Sequence, residues 1–431
     1  MRKLYLLPLL FLLCLASCKD EQDIPVPQPE PEAPVPDEPK QEPEAREVPF
    51  TFSFTPSRYS YDSEVATEFE LIVSQKDGKV LLDTLVAAGK NHGLSVRSEE
   101  DKFDVTTVYL DPATLNYVMR TYIQVNPDNW RVNQSGLRAI QGKEPARIHY
   151  TNIPTGASTD YSLTTQVKFS GKNPTGYATD WDYRGNLSVG YARSLPTDTA
   201  YLLLTDLGKY IFAEITPGEP RVDFSGAKTA VKHQFDIPAG VAQPYSFLVG
   251  HFKKGKYNQH MTLYFGSGGE DYHLQYPTTV IEEFNLNVTY SDVAGNSHGY
   301  YHIGESIPTD LGFLSEADFT VTKPEFNDFQ IQFVEDKPTS YYMSWNSEEL
   351  KVDWRIYLSP EEATLKLKDY LQGLNVGYLE GLDLSGFSLR DVLTYKADGY
   401  THQSLHDYLN DPDAMQRYEL KQYRTIYKKI K

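Results

Sequence analysis

The chain has 431 residues and a net charge of -18, with 59 acidic side chains against 41 basic ones. So acidic a chain is a poor candidate for nucleic acid, which demands clustered Lys and Arg, and an anionic cell surface repels it. Its two cysteines, Cys14 and Cys18, both stand near the start of the sequence. Cysteine catalysis, Cys₄ zinc sites and paired-thiol redox motifs are therefore excluded from the rest of the chain.

Met1-Arg2-Lys3 is a short positive segment, and Leu4 to Leu15 is an apolar run broken only by Pro8. A bilayer-spanning helix needs about 20 apolar residues, so this run has the layout of a secretory signal peptide instead. Leu15-Ala16-Ser17-Cys18 resembles the bacterial lipobox. That resemblance implies cleavage after residue 17 and a diacylglycerol thioether on Cys18. Two or more acyl chains hold a protein stably at a membrane. Lys19-Asp20-Glu21 resembles the lipoprotein export signal of Bacteroidota, which implies an outer-membrane protein, lipid-anchored and facing the exterior.

Residues 18–49 read as a disordered stalk. Nine of the 26 positions from 24 to 49 are proline, and residues 19–49 hold ten acids against three bases. Such a composition builds no core and runs as polyproline II at about 3.1 Å per residue, hence up to roughly 80 Å.

The folded part is expected to open near Phe50. Phe69, Leu71 and Val73 alternate with other residues, which predicts a strand with one buried face. Asp77-Gly78 between two apolar runs is a strong hairpin signal, and Val80-Leu81-Leu82 begins the return. Strands fit 104–110 and 117–125, and 126–136 reads as a loop. Further strands fit 162–169, 187–192, 201–205, 210–215, 228–235, 246–252 and 259–265. A third block opens on Phe284, Leu286, Val288 and Tyr290 and continues through 319–321, 329–333, 341–345 and 352–358. Short strands at this spacing, with Gly, Pro, Asn and Asp between them, predict sandwiches or barrels.

At Ser359 the pattern changes. Ser359-Pro360-Glu361-Glu362 is a capping box with proline at the first helical position. Leu365, Leu367 and Leu371 follow, with Gly373 as a stop. Ser388-Leu389-Arg390-Asp391 reads as a second helix start. The spacing of Leu420, Tyr423, Tyr427 and Ile430 predicts a last helix over 412–430. The expected fold class is mainly β: tandem β-sandwich modules at 50–140 and 141–278, a further β module at 279–358, then a small α-helical C-terminal region at 359–431.

Several motifs invite chemistry and do not carry it. Gly295-Asn296-Ser297-His298-Gly299 matches a nucleophile elbow but sits among strands, with no helix after the serine. Ser225-Gly226-Ala227-Lys228 lacks the companion motifs of its enzyme class. His402 and His406 share helical spacing, but Gln403 stands where a zinc peptidase carries glutamate, and no third ligand follows from the sequence. His298 and His302 have the same spacing in a strand, where it separates them. Asp180-Trp181-Asp182-Tyr183-Arg184-Gly185-Asn186 resembles the start of a calcium loop, yet Arg184 occupies a ligand position. A hairpin suits it better, and Asp180, Trp181, Asp182 and Tyr183 become candidate ligand contacts, aromatic rings beside carboxylates as in sugar sites.

With 32 tyrosines and 13% aromatics, the chain is either simply β-rich or displays aromatic platforms. No catalytic residue, metal site or cofactor is read from the sequence. The expected role is non-catalytic: capture of an extracellular glycan or protein, or an accessory subunit. The alternatives are a surface hydrolase of glycans or peptides and a structural or adhesive protein. Asp83-Thr84-Leu85 and Asp198-Thr199-Ala200 resemble the O-glycosylation sequon of Bacteroidota.

Overall fold

A computed structural model describes residues 45–55, 66–126, 129–133, 144–154, 167–171, 176–182, 185–193, 197–235, 242–257, 259–267, 273–311, 318–334, 337–411, 414 and 417–430. The chain divides into two units, Met1–Glu44 and Ala45–Lys431. Everything below concerns the second. Cys18, Lys19, Asp20 and Glu21 lie outside the described residues. Among those residues, no helix is long and apolar enough to cross a membrane.

The protein is mostly β-strand, arranged in several sheets with β-sandwich-like layers, and has a small helical region near its C-terminus. Twelve strands make the principal sheet. In chain order they are β1 (Glu68–Ser74), β2 (Val80–Ala87), β3 (Phe103–Leu110), β4 (Tyr117–Val125), β5 (Ala242–His251), β6 (His260–Ser267), β7 (Glu283–Ser291), β8 (Ser297–Gly304), β9 (Ser340–Ser347), β10 (Val352–Leu358), β11 (Ser388–Lys396) and β12 (Gln422–Lys429). They lie side by side as β6-β5-β7-β8-β12-β11-β9-β10-β4-β3-β1-β2. Neighbours are antiparallel except at one seam, where β10 runs parallel to β4.

Successive residues of a strand point to opposite faces, so the sheet has two. On the inner face, Met119, Met343, Trp345, Trp354 and Ile356 are fully buried. They meet Phe319, Phe326, Phe329 and Ile331 of a small sheet built from Phe319–Glu325, Asp328–Phe333 and Thr364–Leu365, together with helix α1 (Leu367–Leu374). A polar chain crosses the parallel seam within this core. Trp354 Nε1 donates to Thr121 Oγ1 at 2.8 Å, and Thr121 Oγ1 lies 2.9 Å from Thr106 Oγ1.

The outer face is covered unevenly. Over β1 to β4, Phe50, Phe52 and Val96 seal Phe69, Leu71, Val105 and Tyr122. They belong to a sheet of Arg46–Thr55, Asn91–Ser98 and Asn129–Asn133. Elsewhere helix α2 (His402–Asn410) lies on it, capped by Thr401 and Ser404 in a reciprocal pair of hydrogen bonds. Two four-stranded sheets from the 144–229 stretch share a separate buried cluster, including Ile148, Leu187 and Val189 from one and Leu202, Leu204 and Ile215 from the other.

Four expectations change. The 412–430 helix is instead strand β12 at Gln422–Lys429, filling the gap between β8 and β11. Leu420, Tyr423, Tyr427 and Ile430 fit a helical period, but the open edges on either side gain a full ladder only from an extended chain. Ser388 likewise begins strand β11 rather than a helix. The Ser359 box forms a single turn, with Glu362 N bonded to Ser359 O at 3.0 Å. Glu362 cannot reach back to the cap because its carboxylate pairs with Lys76 Nζ at 2.6 Å, and the helix starts only at Leu367. Finally, the first strand begins at Arg46 and the 126–136 loop contains Asn129–Asn133, because the two stretches pair in parallel.

Candidate functional site

The register lays a band of aromatic side chains across the outer face. Tyr122 of β4 stands opposite Tyr357 of β10, and Tyr357 opposite Tyr342 of β9. Leu393 of β11 and Tyr427 of β12 continue the same row. Nearer the β6 edge, Phe265, Phe247, Asn287, Tyr301 and Tyr423 follow one another across five strands. Tyr301 and Tyr423 stack at 4.7 Å between centroids, and Tyr122 and Tyr357 at 4.5 Å. Phe247 and Phe265 are exposed, and Tyr301, Tyr342, Tyr357, Tyr395, Tyr423 and Tyr427 are half-buried. Burial pushes the Tyr342 hydroxyl up to about 12, so the band stays neutral and hydrogen-bonding.

Beside the tyrosines, where β4 and β10 begin, lies an open concavity of about 150 Å³. Three guanidiniums line it: Arg120 of β4, Arg355 of β10 and Arg390 of β11. Arg390 is the extra residue of a β-bulge, since Ser344 pairs with Asp391 and Trp345 with Leu389. It donates to Asp391 Oδ2 at 2.8 Å and Asp353 Oδ1 at 3.3 Å. Arg355 lies over the Tyr342 ring at 4.6 Å. Burial works against its charge, but the Tyr357 and Tyr342 hydroxyls and Asp391 outweigh that and hold the proton on.

Helix α2 closes the other end of this row. His406 makes edge contacts with Tyr122 and Tyr357 at 5.4 and 5.1 Å. Ser340 Oγ lies 2.9 Å from His402 Nδ1 and 3.0 Å from His406 Nε2, and also donates toward Leu358 O at 3.2 Å. Ser340 and both imidazoles are buried. Burial brings His402 down to about 4 and His406 well below the usual range, so both are neutral pins between helix and sheet. Among the described residues, no group of three His, Cys, Asp or Glu side chains is placed to hold a metal.

A second titratable cluster surrounds His251, which stands between His260 and Glu283 in register. Burial pushes His251 down to about 4. Glu283 is already engaged, by Gly255 N at 3.3 Å and Lys421 Nζ at 3.4 Å. Lys421 also lies over the Tyr257 ring at 4.6 Å, so the one cation this aromatic corner could take is supplied by the chain itself.

Of the residues singled out from sequence, Asp180, Trp181 and Asp182 end the edge strand Gly176–Asp182 of a separate sheet, paired with Ser188, Leu187 and Asn186. The segment is a hairpin, and Gly185 has a φ of +87° at its turn. Tyr183 lies outside the described residues, as do the side chains of the other three. Ser297 opens β8 after the Asp292–Gly295 turn, and His298 Nε2 contacts Asp292 Oδ2 at 3.0 Å. That arrangement is a hairpin rather than a nucleophile elbow. The arginines and tyrosines of the outer face escaped the sequence reading. Their signal was there in Val352–Leu358, where Asp353, Arg355 and Tyr357 alternate with buried apolar residues.

No protein-family model matches the chain, and no curated protein matches it. Among solved structures, extracellular domains 3-5 of Drosophila OTK align with 61% of this chain and 96% of that one. Identity is 12% and the TM-score 0.10. A likeness that slight carries no argument about fold or function.

Proposed function

We propose that this chain is a lipid-anchored protein of the outer membrane, facing the exterior, that captures an extracellular glycan or protein without transforming it. The observation that carries the reading is the half-buried tyrosine band beside the arginine-lined concavity. Aromatic faces with flanking polar groups suit extended ligands, because each ring offers wide contact at little entropic cost. The anchor rests on Cys18 and the export signal on Lys19, Asp20 and Glu21. The β layers are read as tandem sandwich modules, and the Asp180–Tyr183 hairpin as a second, smaller contact.

The test takes the full chain through a thermal-shift screen against polysaccharides and peptides. A ligand at 100 times its Kd adds about 2.7 kcal/mol. A stabilising ligand that is recovered intact supports capture. Release of product converts the reading to a surface hydrolase, and a flat screen leaves a structural or adhesive role. Cys18→Ala releases the protein from membranes; retention of that variant overturns the anchor.

A further inference from the structure

Arg120 and Arg355 stand directly opposite each other across the parallel seam. Like charges so placed repel. The acids around them are held by other donors, and Asp391 reaches Arg355 only through space. Asp111 accepts from Ala113 N at 2.9 Å and Thr114 Oγ1 at 3.1 Å, and Asp353 from Asn116 Nδ2 at 3.2 Å and from Arg390. Asp391 is held by Arg390. Among the described residues, neither Arg120 nor Arg355 has a carboxylate within ion-pair distance, although the chain carries a net charge of -18. Two guanidinium forks without a carboxylate partner in ion-pair contact therefore face one concavity, in a protein with acid to spare elsewhere.

We infer that Arg120 and Arg355 form an anion subsite, and that the captured ligand is an acidic polysaccharide bearing carboxylate or sulfate groups. This rests on the capture reading above and names its ligand class. The forks match the oxygens of either anion bidentately. Tyr357 and Tyr342 run on from the same seam, so a saccharide can lie along the outward edges of the aromatic row while its anionic groups reach the arginines. An acidic peptide has the charge but no sugar C–H face to set against each tyrosine.

The experiment titrates the full chain with polygalacturonate, a sulfated polysaccharide, neutral dextran and polyglutamate. The variants are Arg120→Gln, Arg355→Gln and Tyr342→Ala, the arginine variants checked for an unchanged unfolding midpoint and Tyr342→Ala for a cooperative transition well above the temperature of the titration. Arg120→Gln is the deciding variant, because Arg355 also packs on Tyr342 and its loss can disturb the face. The expected result is binding of at least one acidic polysaccharide. That binding weakens about tenfold in Arg120→Gln and falls with added salt. Binding of acidic polysaccharide at unchanged affinity in Arg120→Gln overturns the subsite. Dextran binding that needs Tyr342 and ignores both arginines overturns the acidic ligand and leaves glycan capture standing. Polyglutamate binding alone replaces the polysaccharide with a protein partner, and no binding by any probe overturns both readings.

Discussion

The two faces of the principal sheet are made by the same strands and differ in what each is asked to do. On β10, Val352, Trp354, Ile356 and Leu358 point inward and are buried, whereas Asp353, Arg355 and Tyr357 point outward and are half-buried. The inner face is largely apolar, with one short hydroxyl chain for the Trp354 indole and the buried Asp104 carboxyl. The outer face gathers rings and guanidiniums that stay partly in water. A strand can therefore supply both a core and a contact surface by alternation alone, and the two respond differently to substitution.

Trp354→Ala is the largest expected break. It empties a fully buried site and strips Thr121 of its donor, so denaturant unfolding should show a loss of about 3–5 kcal/mol. A loss comparable to that of an outer-face variant would erase the distinction between the faces.

Acidification sharpens the comparison next. The outer face is pinned by His402 and His406, whose folded values fall below the 6.5 of the free side chain, to about 4 for His402. The unfolded chain binds protons there first, so their contribution is whole above pH 6.5 and drains away as pH falls toward 4. Asp104 points to the inner side, and burial raises it from 3.8 to about 6. Its sign is opposite: the folded state holds the extra proton, so its contribution is present below 3.8 and is lost as pH rises through 6. Between pH 6 and 4 three buried imidazoles, His251 with His402 and His406, lose and one carboxyl offsets. Stability should fall with pH by about 1.4 kcal/mol per pH unit for each uncompensated group, and so more steeply in Asp104→Asn. A flat profile in both proteins would show that these groups do not titrate differently on folding.

Tyr342→Ala should cost about 1.5 kcal/mol, because the ring is only half-buried and loses its contact with Arg355, while ligand binding falls sharply. A stability loss equal to that of Trp354→Ala would make the outer row a second core. Gly78→Ala is the smallest, about 1 kcal/mol, for an alanine forced to a φ of +84° at the β1–β2 turn. Calorimetry showing no change would mean the turn relaxes freely.

Legibility followed the range of the interactions. Asp77-Gly78 spelled its hairpin locally, and the alternation of Phe284, Leu286, Val288 and Tyr290 spelled β7. The strand β12 was not legible, because its rings fit a helical period as well as a strand, and two distant neighbours decide between them. The candidate site was least legible. Arg120 and Arg355 come from strands far apart in the chain, and only the register of the parallel seam sets them side by side.

That seam also orders events in time. Strand β4 can pair with β3 as soon as both are made, but its other edge waits for β10, which follows more than half the chain later. Until then β4 offers a row of free amides and carbonyls to any passing strand. A pairing of such long sequence separation forms slowly. The segment that completes the arginine pair is thus also the one that ends the growing chain's exposure to mispairing.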